Sequence, residues 1–554
     1  MVELDEETTT LAKGALWQNA ANIFVKLLAF VYTIIIARFV AQEQVGLFYF
    51  ALGIVGTIGI FADFGLTSAV IRYVPYYLGK KDTRNAHLMV NLVVFGGTFL
   101  LLAWSLLTFV FAGQIAQFFS NPELKGMLQL FAVYLAVIQS SSIINSLLFS
   151  MKGVREVALG GTMQAFLKLI FTILLIFLLG ANADSLAIAF IASYAFSAFY
   201  LLWELRKHIS WLKESISFGI SEYARLLKEV LPFGIMVLGV MAISTLIGYS
   251  DRLMLGYMLK GDNANEQIAI YSLSTGLAVL AVMFSTPLTN IFYPIVSELI
   301  GKEEGNKIKD WKRVNKHAQL AFKWLLFSTV PLAAFLIAFS APMLRILYGA
   351  QYEAGYIAMS LFTIGTLINH MGVVQRTALA GMKLMKINLL SVTVSAIANI
   401  VLNYLLIPPF GINGSAFASL VSLFVLTCMD QYFATKYFGF AFPLSAWKNI
   451  LAGAIVFCLL LSIEAVAYPF ITNLPLSFAD GLLFGVLDKL LKLAVLLVFF
   501  AAGSLFYLAL INLMRLFEHE DVQVFRRILS KFGFPAWTTT FFVRLVFWNQ
   551  KELH

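Results

Sequence analysis

The side chains best able to do chemistry in this sequence are charged and amide residues that interrupt long apolar runs. The segment TLIGYSDRLMLGYML, residues 245–259, places Asp251 and Arg252 side by side. Lys26 and Lys168 each lie near the middle of an apolar run. A charged side chain at the centre of a bilayer is costly to insert, so each of these residues is a hypothesis about function.

The first hypothesis is a water-filled cavity lined by cations. Lys26 and Lys168 are too deep in their runs for easy snorkelling, and we expect Arg72 and Arg376 to join them. The uncharged polar residues predicted to line the same cavity are Asn19, Asn22, His370, Asn399 and Asn403. The alternative for the two arginines is snorkelling to the inner surface, and for Asn399 and Asn403 it is hydrogen bonding between helices. The excess of positive charge favours an anionic substrate, such as a phosphate or diphosphate.

The second hypothesis is a gate or coupling site formed by Asp63, Asp251 and Arg252. Asp251 comes about 20 residues into its run, which at 1.5 Å per residue is ~30 Å from the inner end. We therefore expect the Asp251–Arg252 pair at the outer membrane boundary, where charge is tolerated. Arg252 matches Arg38 in an earlier, similar segment and is interpreted as an interfacial anchor. Asp251 is matched only by Ala37, so it forms either a gating ion pair or coupling site, or a local salt bridge.

Catalysis is not expected from this sequence. It contains no G-x-x-x-x-G-K-[ST] segment, no spacing of metal ligands and no nucleophile–base arrangement. We therefore predict a protein that is not an enzyme and that has no cofactor and no metal centre. The net charge of +9 is explained by membrane topology and the anionic inner leaflet, and does not indicate nucleic-acid binding.

The elements that position these residues are transmembrane helices. The 554 residues are 60% hydrophobic and 12% charged, far from the roughly 25% charged residues of soluble domains. Each span needs ~20 apolar residues, and the sequence predicts an all-α, polytopic protein with fourteen transmembrane helices. The predicted spans are 15–40, 45–70, 87–112, 126–150, 155–180, 184–204, 231–257, 267–296, 318–343, 354–379, 386–408, 412–436, 447–471 and 485–513.

The distribution of basic residues and an internal repeat define the organisation. Most of the 39 Lys and Arg residues fall at the chain ends and in the loops after even-numbered spans, which predicts that both termini are cytoplasmic. Residues 150–187 match 381–418 without gaps, so Lys168 corresponds to Asn399. We predict two pseudo-symmetric six-helix bundles at 1–208 and 231–440, an interfacial linker helix at 209–230, two extra helices at 441–513 and a cytoplasmic interfacial tail at 514–554.

Three segments resemble a known family. They are ALWQNAANIFVKLLAFVYTIIIARFVAQEQVGLFYFALGIVGTIGIFADFGLTSAVIRY, SDRLMLGYML followed by AIYSLSTGL, and ANIVLNYLLIPPFGINGSAFASL. The last, N-x-x-x-N followed by Pro and G-x-x-G, is the most specific. The chain thus resembles the Wzx-type polysaccharide and oligosaccharide flippases of the multidrug/oligosaccharidyl-lipid/polysaccharide exporter superfamily, over about residues 15–510.

The resemblance implies two six-helix bundles in a V around a central cavity that opens alternately to either side. The implied activity is translocation of a lipid-linked oligosaccharide, carried on a polyprenyl phosphate or diphosphate, across the cytoplasmic membrane for polysaccharide or surface-glycan biosynthesis. By position, Lys26, Lys168, Arg72 and Arg376 are implied to bind the lipid phosphate. The implied partners are the lipid-linked glycan, the lipid bilayer and a glycan polymerase or glycosyltransferases.

Three alternatives remain open at this point. A lipid II flippase of the same superfamily would move a peptidoglycan precursor. A multidrug/cation antiporter would need acidic residues in its cavity, and Lys26 and Lys168 argue against it. A membrane scaffold of a glycan-assembly complex would tolerate neutral substitution of its buried charges.

Overall fold

The computed structural model describes residues 6–62, 64–208, 218–259, 262–283, 311–382, 384–473 and 482–517, with a few tail positions between 521 and 547. The side chains of residues 6–20, 262, 470–487 and 490 lie outside this description. The regular secondary structure of the described residues is entirely helical. The all-α fold class is therefore confirmed.

The helices of the N-terminal half begin with α1, Glu6–Phe39, and α2, Gln42–Gly59. They continue with α3 (Leu66–Gly79), α4 (Thr83–Asn91), a π-helical turn (Leu92–Gly96), α5 (Gly97–Phe118), α6 (Leu124–Ser150), α7 (Val154–Leu179) and α8 (Ala183–His208). After residues 209–217, which lie outside the description, α9 spans Ile220–Leu259 and α10 spans Asp262–Ala278, followed by a 3-10 turn at Val279–Val282.

The helices of the C-terminal half begin with α11, Trp311–Ala338, and α12, Ser340–Leu347. A 3-10 turn at Ala350–Gly355 leads into α13 (Tyr356–Gly381), which is followed by α14 (Met385–Phe438), α15 (Leu444–Asn473) and α16 (Leu482–Leu513). Helix α14 joins two helices across a kink at Gly411, where φ is 56° and ψ is −132°. Pro408 and Pro409 precede this kink and remove two backbone donors from the helix.

Eleven helices of the described residues are long and apolar enough to cross a membrane. Helix α14 alone covers two predicted spans. The predicted span 45–70 is broken between α2 and α3, and much of the predicted span 267–296 lies outside the described residues. The count of fourteen therefore stays a prediction, whereas the prediction of a multi-pass membrane protein is confirmed.

The break between α2 and α3 has a backbone cause. Gly65 has φ +77°, in the left-handed region that favours glycine. A Cβ at Gly65 would also collide with the carbonyl group of Gly234 on α9. Both the backbone conformation and the close approach of α9 thus require glycine at this position.

The residue contacts divide the chain into two compact units. The first contains Met1–Ser274 and Val392–Ser422, and the second contains Thr275–Ser391 and Leu423–His554. In the first unit, α7 packs on α1 and α8, and α2 packs on α6 and α9. In the second unit, α11 packs on α13, α15 and α16. The predicted bundle boundaries stay a prediction, as do the linker, of which residues 209–217 lie outside the described residues, and the tail, most of which lies outside them.

Candidate functional site

The most densely connected polar group in the first unit surrounds the carboxylate of Asp251, which is 4% exposed. Its Oδ1 accepts hydrogen bonds from the side-chain amides of Asn399, at 3.2 Å, and Asn403, at 2.7 Å. Its Oδ2 accepts hydrogen bonds from the hydroxyls of Ser419, at 2.6 Å, and Tyr271. All four donors are uncharged, so Asp251 is a buried carboxylate held by neutral groups.

Several helices bring this cluster together. Asp251 lies on α9, Tyr271 on α10, and the two asparagines and Ser419 on either side of the kink in α14. Asn399 and Asn403 are one helical turn apart, so their amides lie on the same face. The amide of Asn403 also donates to Oδ1 of Asn399, at 3.1 Å. The N-x-x-x-N spacing thus places two amides against one carboxylate.

The predicted location of Asp251 and Arg252 at the outer membrane boundary stays a prediction. In the structure, the carboxylate of Asp251 is enclosed by α10 and α14. Its neighbour Arg252 instead donates from Nε to the hydroxyl of Ser272, at 2.9 Å. The guanidinium of Arg252 also lies 5.8 Å from the centroid of the Tyr49 ring. Adjacent residues on a helix point about 100° apart, which separates the two charges.

Lys168 on α7 is the residue that corresponds in the repeat to Asn399. Its Nζ lies 4.4 Å from the ring centroid of Tyr32 and 4.9 Å from that of Phe190. Within the described residues, no carboxylate forms an ion pair with it. One turn further, Thr172 is 1% exposed. A cation on α7 thus stands where the second half of the repeat has Asn399, an amide that donates to the carboxylate of Asp251.

The other predicted cations have different surroundings. Lys26 is half-buried on α1. Arg72 is exposed and lies 4.4 Å from the ring centroid of Phe233. In the second unit, Nε of Arg376 lies 2.9 Å from Oδ2 of the buried Asp430. Asp430 is not among the site residues predicted from the sequence, although an isolated acid in an apolar run indicates a candidate site residue.

The remaining predicted site residues have simpler placements. Asn22 is exposed on α1, and His370 is half-buried on α13. The side chain of Asn19 and the whole of Asp63 lie outside the described residues. The functional roles of all twelve predicted residues stay predictions.

A cavity of about 280 Å³ lies between α2, α3, α6 and α9 in the first unit. Its lining residues are Leu52, Val55, Gly56, Gly59, Ile60, Gly65, Thr67, Tyr134, Leu135, Ile138, Gln139, Ser142, Leu238, Met241, Thr245 and Tyr249. None of these residues is charged. Lys168 is not in the lining, but the ring of Phe190 contacts both Lys168 and Tyr134.

Beyond this cavity, α2 and α9 cross at close range. A Cβ at Gly256 of α9 would enter the ring of Phe50 on α2, and a Cβ at Gly46 of α2 would enter the backbone of Asn265, on the adjoining α10. The side chain of Asn265 accepts a hydrogen bond from Nδ2 of Asn121, at 3.0 Å. Glycines allow the two backbones to approach closely, as is common between transmembrane helices. This end of the helix pair is closed in the structure.

Comparisons with known proteins agree with one another. Residues 11–300 match the profile of a family described as polysaccharide biosynthesis protein, and residues 237–405 match the MatE family. The chain is 23% identical to an uncharacterized membrane protein, MJ1068, of Methanocaldococcus jannaschii, over 78% of this chain and 86% of the relative. It is 24% identical, over the same shares, to a probable low-salt glycan biosynthesis flippase, Agl15, of Haloferax volcanii.

Among solved structures, the lipid II flippase MurJ in an inward closed conformation is similar to this chain. The TM-score is 0.66 with 19% identity, over 90% of this chain and all of that one. At this identity the likeness concerns the fold. It agrees with the all-helical, multi-pass architecture described above.

Proposed function

The chain belongs to the polysaccharide biosynthesis protein family, and from that premise we propose that it is a flippase for a lipid-linked oligosaccharide. The cargo is a glycan on a polyprenyl phosphate or diphosphate, moved across the cytoplasmic membrane for polysaccharide or surface-glycan biosynthesis. The observation that carries this proposal is the family match over more than half of the chain. The similarity to Agl15, which is named a probable glycan biosynthesis flippase, supports it.

Alternating access is the mechanism that suits the first unit. The uncharged cavity lies on one side of the α2–α9 crossing, and a tight contact among Gly46, Phe50, Gly256 and Asn265 lies on the other. Release on the closed side requires these contacts to separate. The predicted orientation, with both termini cytoplasmic, makes the closed side the outer one.

The predicted cations have an electrostatic role in this mechanism. A diphosphate that leaves water needs replacement partners, which Lys and Arg side chains provide. Lys168 supports this role best, because its ammonium is packed against aromatic rings and has no carboxylate partner in the described part of the chain. Lys26 and Arg72 are its proposed companions, whereas Arg376 must first exchange its ion pair with Asp430.

Asp251 is the proposed coupling residue. A buried carboxylate surrounded only by neutral donors favours a cation or a proton as its partner, because burying an unpaired charge is costly. Asn399, Asn403 and Ser419 carry oxygen atoms that can turn towards such a cation. Binding there would bias the relative positions of α9, α10 and α14, which together form the site.

Depletion of the protein in its host tests the function. The expected result is accumulation of a polyprenyl-linked glycan that is accessible only from the cytoplasmic leaflet, measured by mass spectrometry after glycosidase treatment of inside-out and right-side-out vesicles. Accumulation of a peptidoglycan precursor instead would support the lipid II alternative. An unchanged lipid-linked glycan pool together with increased sensitivity to cationic drugs would support an antiporter.

Substitution of the lysines tests the cation hypothesis. Lys26→Ala and Lys168→Ala should each abolish glycan export while membrane insertion stays intact. The exposed Lys436 on α14 supplies a matched control, since Lys436→Ala removes a charge near a helix end without changing export. Normal surface glycan from a well-expressed Lys168→Ala variant would contradict this part of the proposal.

A further inference from the structure

The uncharged cavity between α2, α3, α6 and α9 presents unused hydroxyl groups. Ser142, Thr245 and Tyr249 line it, and their hydroxyls form no hydrogen bond with other described residues of the chain. Gln139 donates from Nε2 to the carbonyl oxygen of Gly59, at 3.0 Å, which leaves its Oε1 as an acceptor. The cavity therefore offers several donors and acceptors, and none of its described lining residues carries a formal charge.

Two tyrosine rings complete the wall and are held in place by their neighbours. Tyr134 makes edge-to-face contacts with Phe131, at 5.3 Å between centroids, and with Tyr194, at 5.5 Å. Tyr249 packs so closely on α2 that a Cβ at Gly56 would lie 2.5 Å from its ring. Rigid aromatic faces beside a few polar groups are typical of small-molecule sites that bind amphipathic ligands.

We propose that this cavity is the binding site for an uncharged sugar unit of the glycan, separate from the place where the lipid phosphate binds. Each sugar ring has apolar C–H faces, which suit Tyr134 and Tyr249, and hydroxyl edges, which suit Gln139, Ser142 and Thr245. The inference rests on the proposed function and deepens it, because it assigns a chemical class to one part of the cargo. The volume of about 280 Å³ is near the lower end of the ~300–1,000 Å³ range of small-molecule sites, so it suits a small part of an oligosaccharide.

The described lining residues are all uncharged, which predicts selectivity. A carboxylate on a uronic acid would lose its hydration without gaining a cationic partner, which is unfavourable. Neutral hexoses and their N-acetyl derivatives carry only groups that the lining can satisfy. We therefore expect the site to favour neutral sugars over acidic ones.

The test separates the sugar from the phosphate. The full-length protein is reconstituted into liposomes, and transport of polyprenyl-diphosphate N-acetylglucosamine is measured with sugar-free polyprenyl diphosphate as a competitor. The triple variant Ser142→Ala, Thr245→Val and Tyr249→Phe removes three hydroxyls with little change in shape. Its KM for the sugar-bearing lipid should rise at least tenfold, since each lost hydrogen bond is worth roughly 2- to 10-fold, while inhibition by the sugar-free lipid stays unchanged.

Two comparison variants sharpen the result. Thr57 lines a separate apolar groove, so Thr57→Val removes a hydroxyl from the same helix without changing KM. Gly56→Ala should displace the ring of Tyr249 and raise KM, because its Cβ would lie 2.5 Å from that ring. An unchanged KM in the triple variant, or equal losses for both lipids, would overturn the proposal.

A binding measurement keeps this inference apart from the proposed function. With the native Cys428 and Cys458 replaced by serine, Ser142→Cys provides a single thiol in the cavity. N-acetylglucosamine should slow maleimide labelling of this thiol, and glucuronate should not, whether or not transport is observed. Equal protection by both sugars, or by neither, would contradict the site. Failure of the wild-type protein to move any lipid-linked sugar would contradict the flippase and leave this binding result standing.

Discussion

Neutralising Asp251 without disturbing its hydrogen bonds separates its charge from its structural role. In Asp251→Asn, the amide oxygen can accept from the amides of Asn399 and Asn403, as Oδ1 does in the structure. The new NH₂ group then faces the hydroxyls of Ser419 and Tyr271, and hydroxyls can rotate to accept. We therefore expect the free energy of unfolding to change by less than about 1 kcal/mol, since the number of hydrogen bonds is maintained.

Asp251→Leu gives the opposite pattern and calibrates the measurement. It leaves the amides of Asn399 and Asn403 facing an apolar group, and each already uses its second hydrogen, on Ser419 and on Asn399 respectively. A buried donor without an acceptor costs about 1–3 kcal/mol. Two such donors lower the free energy of unfolding by ~2–6 kcal/mol, and the variant should melt at a clearly lower temperature in detergent.

The assay measures glycan-lipid transport in liposomes under imposed sodium and proton gradients, beside thermal unfolding of the same preparations. If Asp251 binds the coupling cation, Asp251→Asn is folded but its transport no longer responds to the gradient that drives the wild type. Wild-type transport by Asp251→Asn, with an unchanged response to the gradient, would refute the coupling role. Asp251 would then be a hydrogen-bond acceptor that fixes α9 to α10 and α14.

Two further predictions concern other parts of the chain. Lys323 on α11 forms a 2.6 Å ion pair with Asp521 of the tail, and the two side chains are 9% and 1% exposed. Lys323→Met should lower the free energy of unfolding by about 3–5 kcal/mol, because it leaves a buried carboxylate without its partner. The double variant Lys323→Met with Asp521→Leu should recover most of that stability. An equally unstable double variant would contradict this. In a background without native cysteines, a short thiol cross-linker between Asn121→Cys and Asn265→Cys should stop transport, because it holds the connection between α5 and α6 against α10, next to the α2–α9 crossing. The same linker between Ser105→Cys and Ala132→Cys, which joins α5 to α6, should not, and transport by the cross-linked first pair would argue against opening at this end.

The sequence was sufficient for the helices because each span needs a long apolar run, and such runs are visible without any tertiary information. The N-x-x-x-N spacing of Asn399 and Asn403 also identified two amides on one helix face. The spacing could not identify the acceptor of these amides, because Asp251 lies on another helix. The burial of its carboxylate depends on how α10 and α14 pack around it. Rise along a helix gives position along one axis, whereas burial depends on neighbours.

The uncharged cavity could not be predicted from the sequence either. Tyr134, Gln139, Thr245 and Tyr249 are ordinary residues of apolar runs, and nothing in their spacing distinguishes them from packing residues. Isolated charges in apolar runs indicate Lys168, whose contact with the cavity wall runs through the ring of Phe190. Likewise, the pairing of Arg376 with Asp430 required the approach of α13 to the second half of α14.

The most direct measurement of the central claim is translocation by the purified full-length protein. Liposomes carry a polyprenyl-diphosphate oligosaccharide in both leaflets, and an added glycosidase trims only what it can reach. With the protein, nearly all of the glycan should become accessible, and the rate should fall to the protein-free level in Lys168→Ala. A folded wild-type protein that leaves about half of the glycan protected, as in empty liposomes, would contradict the account.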